Sequence, residues 1–170
     1  MKQVPFYDTN ALLSLQKKIF EIEQKFYISS ITLNELENIK TSGTKDEEVR
    51  YKARCLIRLL EENEDKYEII LYKEYFNEKL KAFNLPPSED CKIVISAYEL
   101  QEEEDIEIVF ITKDLICKQI AKSLGLKTSY INIENEEDYT GFKLIEMSDK
   151  ELADFYINYA DNNKDRKSVV

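Results

Sequence analysis

The stretch IEIVFITKD at residues 106–114 decides the fold of this chain. Residues 106–112 are apolar at nearly every position, which is typical of a parallel strand that is buried on both faces of a sheet. Asp114 follows shortly after the apolar run ends. Because ligands of open α/β sheets bind at the carboxyl ends of the strands, the stretch predicts both the fold class and the position of a site.

The rest of the chain as far as residue 131 alternates short strands with amphipathic helices. The predicted strands are residues 3–7, 26–29, 68–72, 106–112 and 126–131. The predicted helices are residues 11–25, about 30 to 42, 46–63, 74–82, 89–101 and 114–124. This order predicts one α/β domain, residues 1–131, with a central parallel sheet and right-handed crossovers. Pro5 predicts an early or loosely paired position in the first strand.

Residues 132–170 differ in composition and are predicted to form a short acidic extension. The stretch NIENEEDYTGF at 132–142 is polar and acidic, and SDKELADFYIN at 148–158 is predicted to be a capped helix. The last ten residues, DNNKDRKSVV, are predicted to be disordered.

The composition excludes several classes of chemistry. The chain has no histidine, which removes Ser-His-Asp and Cys-His catalysis and histidine-ligated zinc. Its three cysteines form no CxxC pair and are expected to be reduced thiols of a cytoplasmic protein. Three glycines are too few for a GxGxxG or P-loop motif at any strand end. The sequence has neither a long apolar span nor a signal-peptide core, so no membrane association is expected.

Two aspartates stand where a parallel sheet would place a site. Asp8 directly follows the first strand and Asp114 follows the fourth, so both are expected at the same sheet edge. Two converging carboxylates there are either metal ligands or an acid/base pair, although helix capping explains each one alone. Glu35, beside the apolar stripe of its helix, and Asp90, which opens a later helix, are further candidates. A solvated surface position and helix N-terminal stabilisation are the respective alternatives.

Four stretches together resemble the PIN domain, a metal-dependent ribonuclease fold. They are FYDTNALL at 6–13, TLNELENIK at 32–40, SEDCKIVISAYEL at 88–100 and VFITKDLICKQIAKSLGL at 109–126. The resemblance covers about residues 3–131 and implies a three-layer α/β/α fold. It also implies that the residues binding Mg²⁺ or Mn²⁺ for catalysis are Asp8, Glu35, Asp90 and Asp114. Thr9, Asn10 and Thr112 would then orient these ligands through hydrogen bonds, with a role as ordinary turn residues as the alternative.

Within that family the chain is most similar to PIN domains that precede a PhoH-like ATPase. The similarity extends to VRYKARCLIRLLEE at 49–62 and to the acidic Asp-Tyr-Thr-Gly segment at 138–141. It implies an N-terminal module of a longer chain that carries an ATPase domain, with homo-oligomers as a further expectation. One departure is visible, because Leu115 and Ile116 follow Asp114 where many PIN domains have another acidic residue. Four acids rather than five put full two-metal occupancy in doubt.

The net charge of −10 opposes RNA binding unless positive charge is concentrated locally. Five basic residues are the candidates for such a region, and pairing with nearby glutamates is the alternative for each. They are Arg50, Arg54, Arg58, Lys113 and Lys118. Single-stranded RNA is the expected substrate, because a narrow acidic groove suits a flexible strand better than a duplex.

The predicted function is therefore that of an endoribonuclease that cuts single-stranded RNA with metal-activated water. A catalytically degenerate PIN-type module for RNA binding or oligomerisation is the main alternative, and a free-standing VapC-like toxin nuclease is another. A phosphatase of the haloacid dehalogenase type is disfavoured, because that chemistry needs a second aspartate two residues after the first and Asn10 stands there.

Overall fold

The structure, a computed structural model, describes residues 2–22 and 24–131. Five strands occur within this part of the chain: β1 Lys2–Tyr7, β2 Phe26–Ser29, β3 Tyr67–Ile70, β4 Ile106–Thr112 and β5 Lys127–Tyr130. The helices there are α1 Thr9–Leu15, α2 Lys18–Glu21, α3 Ser30–Thr41, α4 Glu47–Glu62, α5 Phe76–Ala82, α6 Glu89–Glu103 and α7 Leu115–Ser123, with a 3₁₀ turn at Glu64–Lys66.

The strands form one parallel sheet in the order β3-β2-β1-β4-β5. Strands β1 and β4 are neighbours in the middle of the sheet, and β1 pairs with β4 over its whole length, from Lys2 opposite Ile106 to Tyr7 opposite Ile111. The strand order reverses direction between these two strands, and such a point is where ligands bind in open α/β sheets. The fold therefore places a site at the carboxyl ends of β1 and β4.

Helices cover both faces of the sheet. On one face Tyr7, Val109 and Ile111 pack with apolar residues of α1 to α4, such as Leu12 and Leu56. On the other face the alternate strand residues, Phe6, Ile108 and Phe110 among them, pack with apolar residues of α6 and α7. A strand that is apolar on both sides, as β4 is, requires this double cover. The structure confirms the prediction of a three-layer α/β/α fold with a central parallel sheet.

The predicted helix over residues 11–25 is wrong as a single element. Gln16 interrupts it with a φ of 51°, a left-handed conformation that ends α1 before α2 begins. The Gln16 Nε2 atom donates to the carbonyl oxygens of Leu13, at 2.8 Å, and Lys52, at 3.1 Å. The break between α1 and α2 is thus accompanied by a contact with α4, which is distant in sequence. The apolar periodicity of residues 11–25 carries no sign of this contact.

The prediction of an early or loosely paired position for Pro5 is wrong as to an early position, since Pro5 is the fourth of the six residues of β1 and is buried opposite Val109. A proline is tolerated at this position of β1 for a geometric reason. The Asp8 N–H donates to Ile111 in β4, and backbone N–H groups alternate sides along a strand. The Pro5 nitrogen therefore faces β2, whose recorded pairing with β1 is at Phe6 and Tyr27, so its missing N–H costs no bond to β4.

The acidic extension and the helix predicted at 148–158 lie outside the described residues, and the 1–131 and 132–170 boundaries stay predictions. Within the described part of the chain, no helix is long and apolar enough to cross a membrane.

Candidate metal centre

Asp8 lies at the carboxyl end of β1, where the chain turns into α1. It is 3% exposed, and its Oδ1 atom accepts the backbone N–H of Ala11 at 2.8 Å, which caps the helix. Its Oδ2 atom accepts a hydrogen bond from the hydroxyl of Thr112, the last residue of β4. Helix capping therefore accounts for one carboxylate oxygen of Asp8, and the neighbouring strand end fixes the other.

Asp114 follows β4 and caps α7. Its Oδ1 atom accepts the backbone N–H groups of Ile116, at 2.8 Å, and Cys117, at 3.1 Å. Its own N–H donates to the Thr112 hydroxyl oxygen at 3.0 Å. Thr112 thus contacts both aspartates, and the structure places Asp8 and Asp114 at the same edge of the sheet.

Asp90 and Glu35 reach this edge from two helices. Asp90 lies in the first turn of α6, whose N-cap is Ser88, with its Oγ accepting the Cys91 N–H at 3.3 Å. Asp90 is exposed, and Ser88 already provides the side-chain cap that was the alternative role for it. Glu35 lies in α3, half-buried, one turn after Thr32.

A hydrogen bond between two buried hydroxyl groups connects α1 to α3, the helix that carries Glu35. The Thr9 hydroxyl donates to the Thr32 hydroxyl at 3.1 Å, and this bond joins the first turn of α1 to α3. Both threonines are buried. The sequence suggests Ser30 or Thr32 as the cap of this helix, but the N-cap is Ser29. The position of Thr32 three residues before Glu35 puts the two on one helix face, which is the signal for its role here.

The pKa values indicate that these acids lie close together. Burial raises the pKa of Asp8 to about 6, and repulsion from Asp90 and Asp114 adds to the rise, while the bonds from Thr112 and Ala11 oppose it. Burial likewise raises the pKa of Glu35 to about 7, with repulsion from Asp90 among the contributions. We refer to Asp8, Glu35, Asp90 and Asp114 as the carboxylate cluster.

The negative charge of the cluster also affects the pKa values of Asp90 and of the neighbouring Cys117. Burial raises the pKa of Asp90, and repulsion from Asp114 and Glu89 adds to the rise. Burial also raises the pKa of the Cys117 thiol, and nearby carboxylates, Asp8 first among them, strengthen this shift. Cys117 therefore stays protonated at neutral pH and is a buried packing residue rather than a nucleophile.

The donor chemistry of the carboxylate cluster suits a hard divalent cation. All four side chains offer oxygen, the ligand that Mg²⁺ and Mn²⁺ prefer. The Glu35 Oε1 atom is buried and has no hydrogen-bond partner among the described residues. In the same part of the chain, no three carboxylate or thiol groups stand close enough together to hold an ion as the side chains are placed. Cation binding would therefore need side-chain rotation, for which exposed Asp90 has the most freedom.

The predicted RNA-binding residues divide into two groups. Arg50 and Arg54 both form ion pairs with Glu47, at 2.5 and 2.8 Å. Pairing with a nearby glutamate was the alternative to RNA binding for these two arginines. Arg58 is exposed on the same helix, one turn further on.

The two lysines lie nearer the sheet edge. The Lys113 Nζ atom donates to Ser14 at 2.7 Å, and the Lys118 Nζ atom lies 5.9 Å from the centre of the Tyr130 ring. Asn10 is exposed on the first turn of α1 and lines a surface groove together with Lys113 and Asp114.

Comparison with known proteins adds one finding to this geometry. Residues 6–132 match the model of a protein family described as a PIN domain, which is the greater part of the chain. No curated protein matches the chain. The matched range begins near the end of β1, spans β2 to β5 and contains all four residues of the carboxylate cluster.

Proposed function

The chain belongs to the PIN domain family, and from this membership we propose that it is a Mg²⁺- or Mn²⁺-dependent endoribonuclease that cleaves single-stranded RNA. PIN domains are in general nucleases and typically depend on a divalent metal. The carboxylate cluster supports the metal dependence, and the flexibility of a single strand suits an acidic site at the edge of the sheet.

The observation that carries the proposal is the convergence of acids at one edge of the sheet, where the Thr112 hydroxyl contacts both Asp8 and Asp114. Asp8 is almost fully buried, yet Asp90 and Asp114 are near enough to raise its pKa further. Like charges at such a site stabilise neither the fold nor one another. A divalent cation would remove this cost, because it lets all of the carboxylates stay ionised.

The residues that would hold the cation are Asp8, Glu35, Asp90 and Asp114. When bound, a divalent cation supplies polarisation of the phosphodiester and activation of a water molecule for in-line attack. The protein's own contribution is orientation. Thr112 contacts both Asp8 and Asp114, and the Thr9–Thr32 bond holds α1 against the helix that carries Glu35.

The absence of histidine from the chain fits this chemistry. Without a histidine, the acid and base functions near the phosphodiester fall to carboxylates and bound water. The buried environment of Asp8 also keeps bulk water from its carboxylate, which strengthens any charge interaction there.

RNA cleavage tests the proposal directly. Wild-type protein is expected to cut a fluorescent single-stranded RNA with Mn²⁺ and to stop when EDTA is added. The Asp8→Asn, Asp114→Asn double variant should lose at least about 100-fold in rate, because losing a ligand costs no less than losing a residue that orients one.

The matched control is Asp65→Asn, Asp105→Asn, which makes the same charge change at two exposed positions outside the cluster. It should cut like the wild type. Equal cutting by both double variants would contradict the proposal, since the activity would then not depend on the cluster.

The placement of this module before a PhoH-like ATPase domain is part of the same proposal. It is supported by the resemblance of residues 49–62 and 138–141 to that group of PIN domains. The test is the mass of the native polypeptide, which should exceed the 20.1 kDa of this chain. A native mass of that size would contradict it.

A degenerate PIN-type module is the second candidate function. Two observations favour it: exposed Leu115 and Ile116 follow Asp114 in place of a further acid, and no described trio of acids stands ready to hold an ion. Such a module would bind RNA with neither Mn²⁺ binding nor cleavage, so the same assay separates the two functions.

A further inference from the structure

A groove of about 480 Å³ runs beside the carboxylate cluster, between α1, the first half of α4 and the turn from β4 to α7. Asp114 and Asn10 are among its lining residues, so the groove opens directly onto the cluster. We call it the α1–α4 groove. The volume lies within the range of small-ligand sites, about 300–1,000 Å³, and suits one or two nucleotides rather than a long stretch.

Side-chain bonds connect the walls of this groove. The Gln16 Nε2 atom donates to the Lys52 carbonyl oxygen at 3.1 Å and thereby joins the end of α1 to α4. The Lys113 Nζ atom donates to the Ser14 hydroxyl at 2.7 Å and joins the β4–α7 turn to α1. The α1–α4 groove is therefore preformed, which lowers the ordering cost of binding.

The lining combines apolar carbon with positive charge. Leu13 and Val49 are half-buried and form an apolar surface, while Lys52 and Lys113 supply two ammonium groups. Lys52 pairs with Glu48 only at 3.6 Å, and both side chains are well exposed, so this ion pair is weak. An ammonium group has three donors, so Lys113 can contact an anion while it keeps its bond to Ser14.

The position of Lys52 differs from that of the arginines on the same helix. Arg50 and Arg54 are directed to Glu47, whereas Val49 and Lys52, three residues apart, share the helix face that lines the groove. The chain has a net charge of −10, yet two lysines line this groove beside the acidic site. The lysines make this part of the surface locally more positive than the rest. Such a local positive charge attracts an anionic chain to this side of the cluster.

We propose that the α1–α4 groove binds the RNA segment that flanks the cleaved phosphodiester. The phosphates contact Lys52 and Lys113, and one unpaired base lies on Leu13 and Val49. A base within a duplex is stacked and paired, so it cannot lie on this surface; the groove therefore selects single strands. This inference rests on the proposed ribonuclease function and assigns a substrate-binding role to Lys52.

Binding of a fluorescein-labelled oligouridylate, measured by fluorescence anisotropy, tests the inference. The groove variant is Lys52→Gln, Lys113→Gln, and the matched control is Lys2→Gln, Lys81→Gln, two exposed lysines outside the groove. All proteins carry Asp8→Asn, so that the probe stays intact. The groove variant should bind about tenfold more weakly, as expected from two exposed ion contacts, and the control about as well as its parent.

Salt dependence gives a second readout that a merely structural effect would not produce. Each phosphate contact contributes about 0.7 to the slope of log affinity against log salt for a single strand, so the slope should fall by about 1.4. In otherwise wild-type protein, the groove variant should raise KM for the same RNA with little change in kcat.

The outcomes separate the groove from the ribonuclease function. If wild type cuts RNA but the groove and control variants bind equally, the groove inference is wrong and the nuclease stands. If wild type neither cuts nor binds RNA, both proposals fail. If the lysine substitutions weaken the binding of duplex RNA as strongly as that of the single strand, the groove does not select single strands. The proposed contact of an unpaired base with Leu13 and Val49 is then wrong.

Discussion

At the scale of single residues, Thr112 couples the ends of the two central strands. One hydroxyl donates to Asp8 Oδ2 and accepts from the Asp114 N–H, so a single side chain fixes both aspartates. Asp8 itself has opposing effects. It caps α1, which stabilises the fold, and it buries a carboxylate among other acids, which destabilises the ionised form.

The raised pKa of Asp8 predicts how stability depends on pH in the absence of metal. The unfolded chain loses the Asp8 proton near pH 3.8, whereas the folded protein keeps it to about pH 6. The stabilising contribution is therefore complete below the lower value and disappears as pH rises through the upper one. In EDTA, the free energy of unfolding should fall over this window, and divalent cations should restore it at neutral pH.

Asp8→Asn should remove this part of the pH dependence. The variant retains an oxygen for the Ala11 N–H and should be more stable than wild type at neutral pH in EDTA, by about 1–3 kcal/mol. Urea unfolding across the pH range measures the effect, with Asp65→Asn as the exposed control. A wild-type protein whose stability rises over the same window would contradict the assignment.

At the scale of elements, the break between α1 and α2 shapes the region around the site. Gln16 adopts a φ of 51° and uses its side chain to join α1 to α4. Such a backbone conformation costs a non-glycine residue about 1–2 kcal/mol, which the two side-chain bonds offset. The break therefore depends on α4 being in place.

Substitution of Gln16 separates the backbone cost from the side-chain gain. Gln16→Ala keeps the left-handed backbone but loses both bonds, and it should lower the free energy of unfolding by about 1–2 kcal/mol. Gln16→Gly loses the same bonds but tolerates the backbone, so it should recover about 1 kcal/mol of that loss. Urea denaturation measures both; a glycine variant less stable than the alanine variant would show that the φ is not costly.

The sequence was informative where a site depends on topology. Parallel strands end at one edge, so Asp8 and Asp114 could be placed together from the apolar runs that precede them. The pattern makes Glu35 and Asp90 candidates only, because it puts Glu35 merely beside an apolar stripe and Asp90 at a helix start. The resemblance to a family is what assigns them to the site. The Gln16 break and the orientation of Lys52 could not be predicted, because contacts between α1 and α4 determine them.

At the scale of the whole molecule, a strongly acidic chain is proposed to act on an acidic polymer. The structure places the acids of the carboxylate cluster at one edge of the sheet and sets two lysines beside them in the α1–α4 groove. A bound cation would lower the negative charge where the phosphodiester must approach. Metal binding and RNA binding should therefore depend on one another, with RNA affinity higher in Mn²⁺ than in EDTA.

Mn²⁺ binding followed by electron paramagnetic resonance tests the central claim, that the carboxylate cluster is a metal centre. Wild-type protein should quench the signal of free Mn²⁺ with micromolar to millimolar affinity, and Mg²⁺ should compete. Asp8→Asn, Asp114→Asn should leave the free-ion signal unchanged, whereas Asp65→Asn, Asp105→Asn should behave like wild type. Failure of the wild type to bind Mn²⁺, or equal binding by both double variants, would contradict the claim.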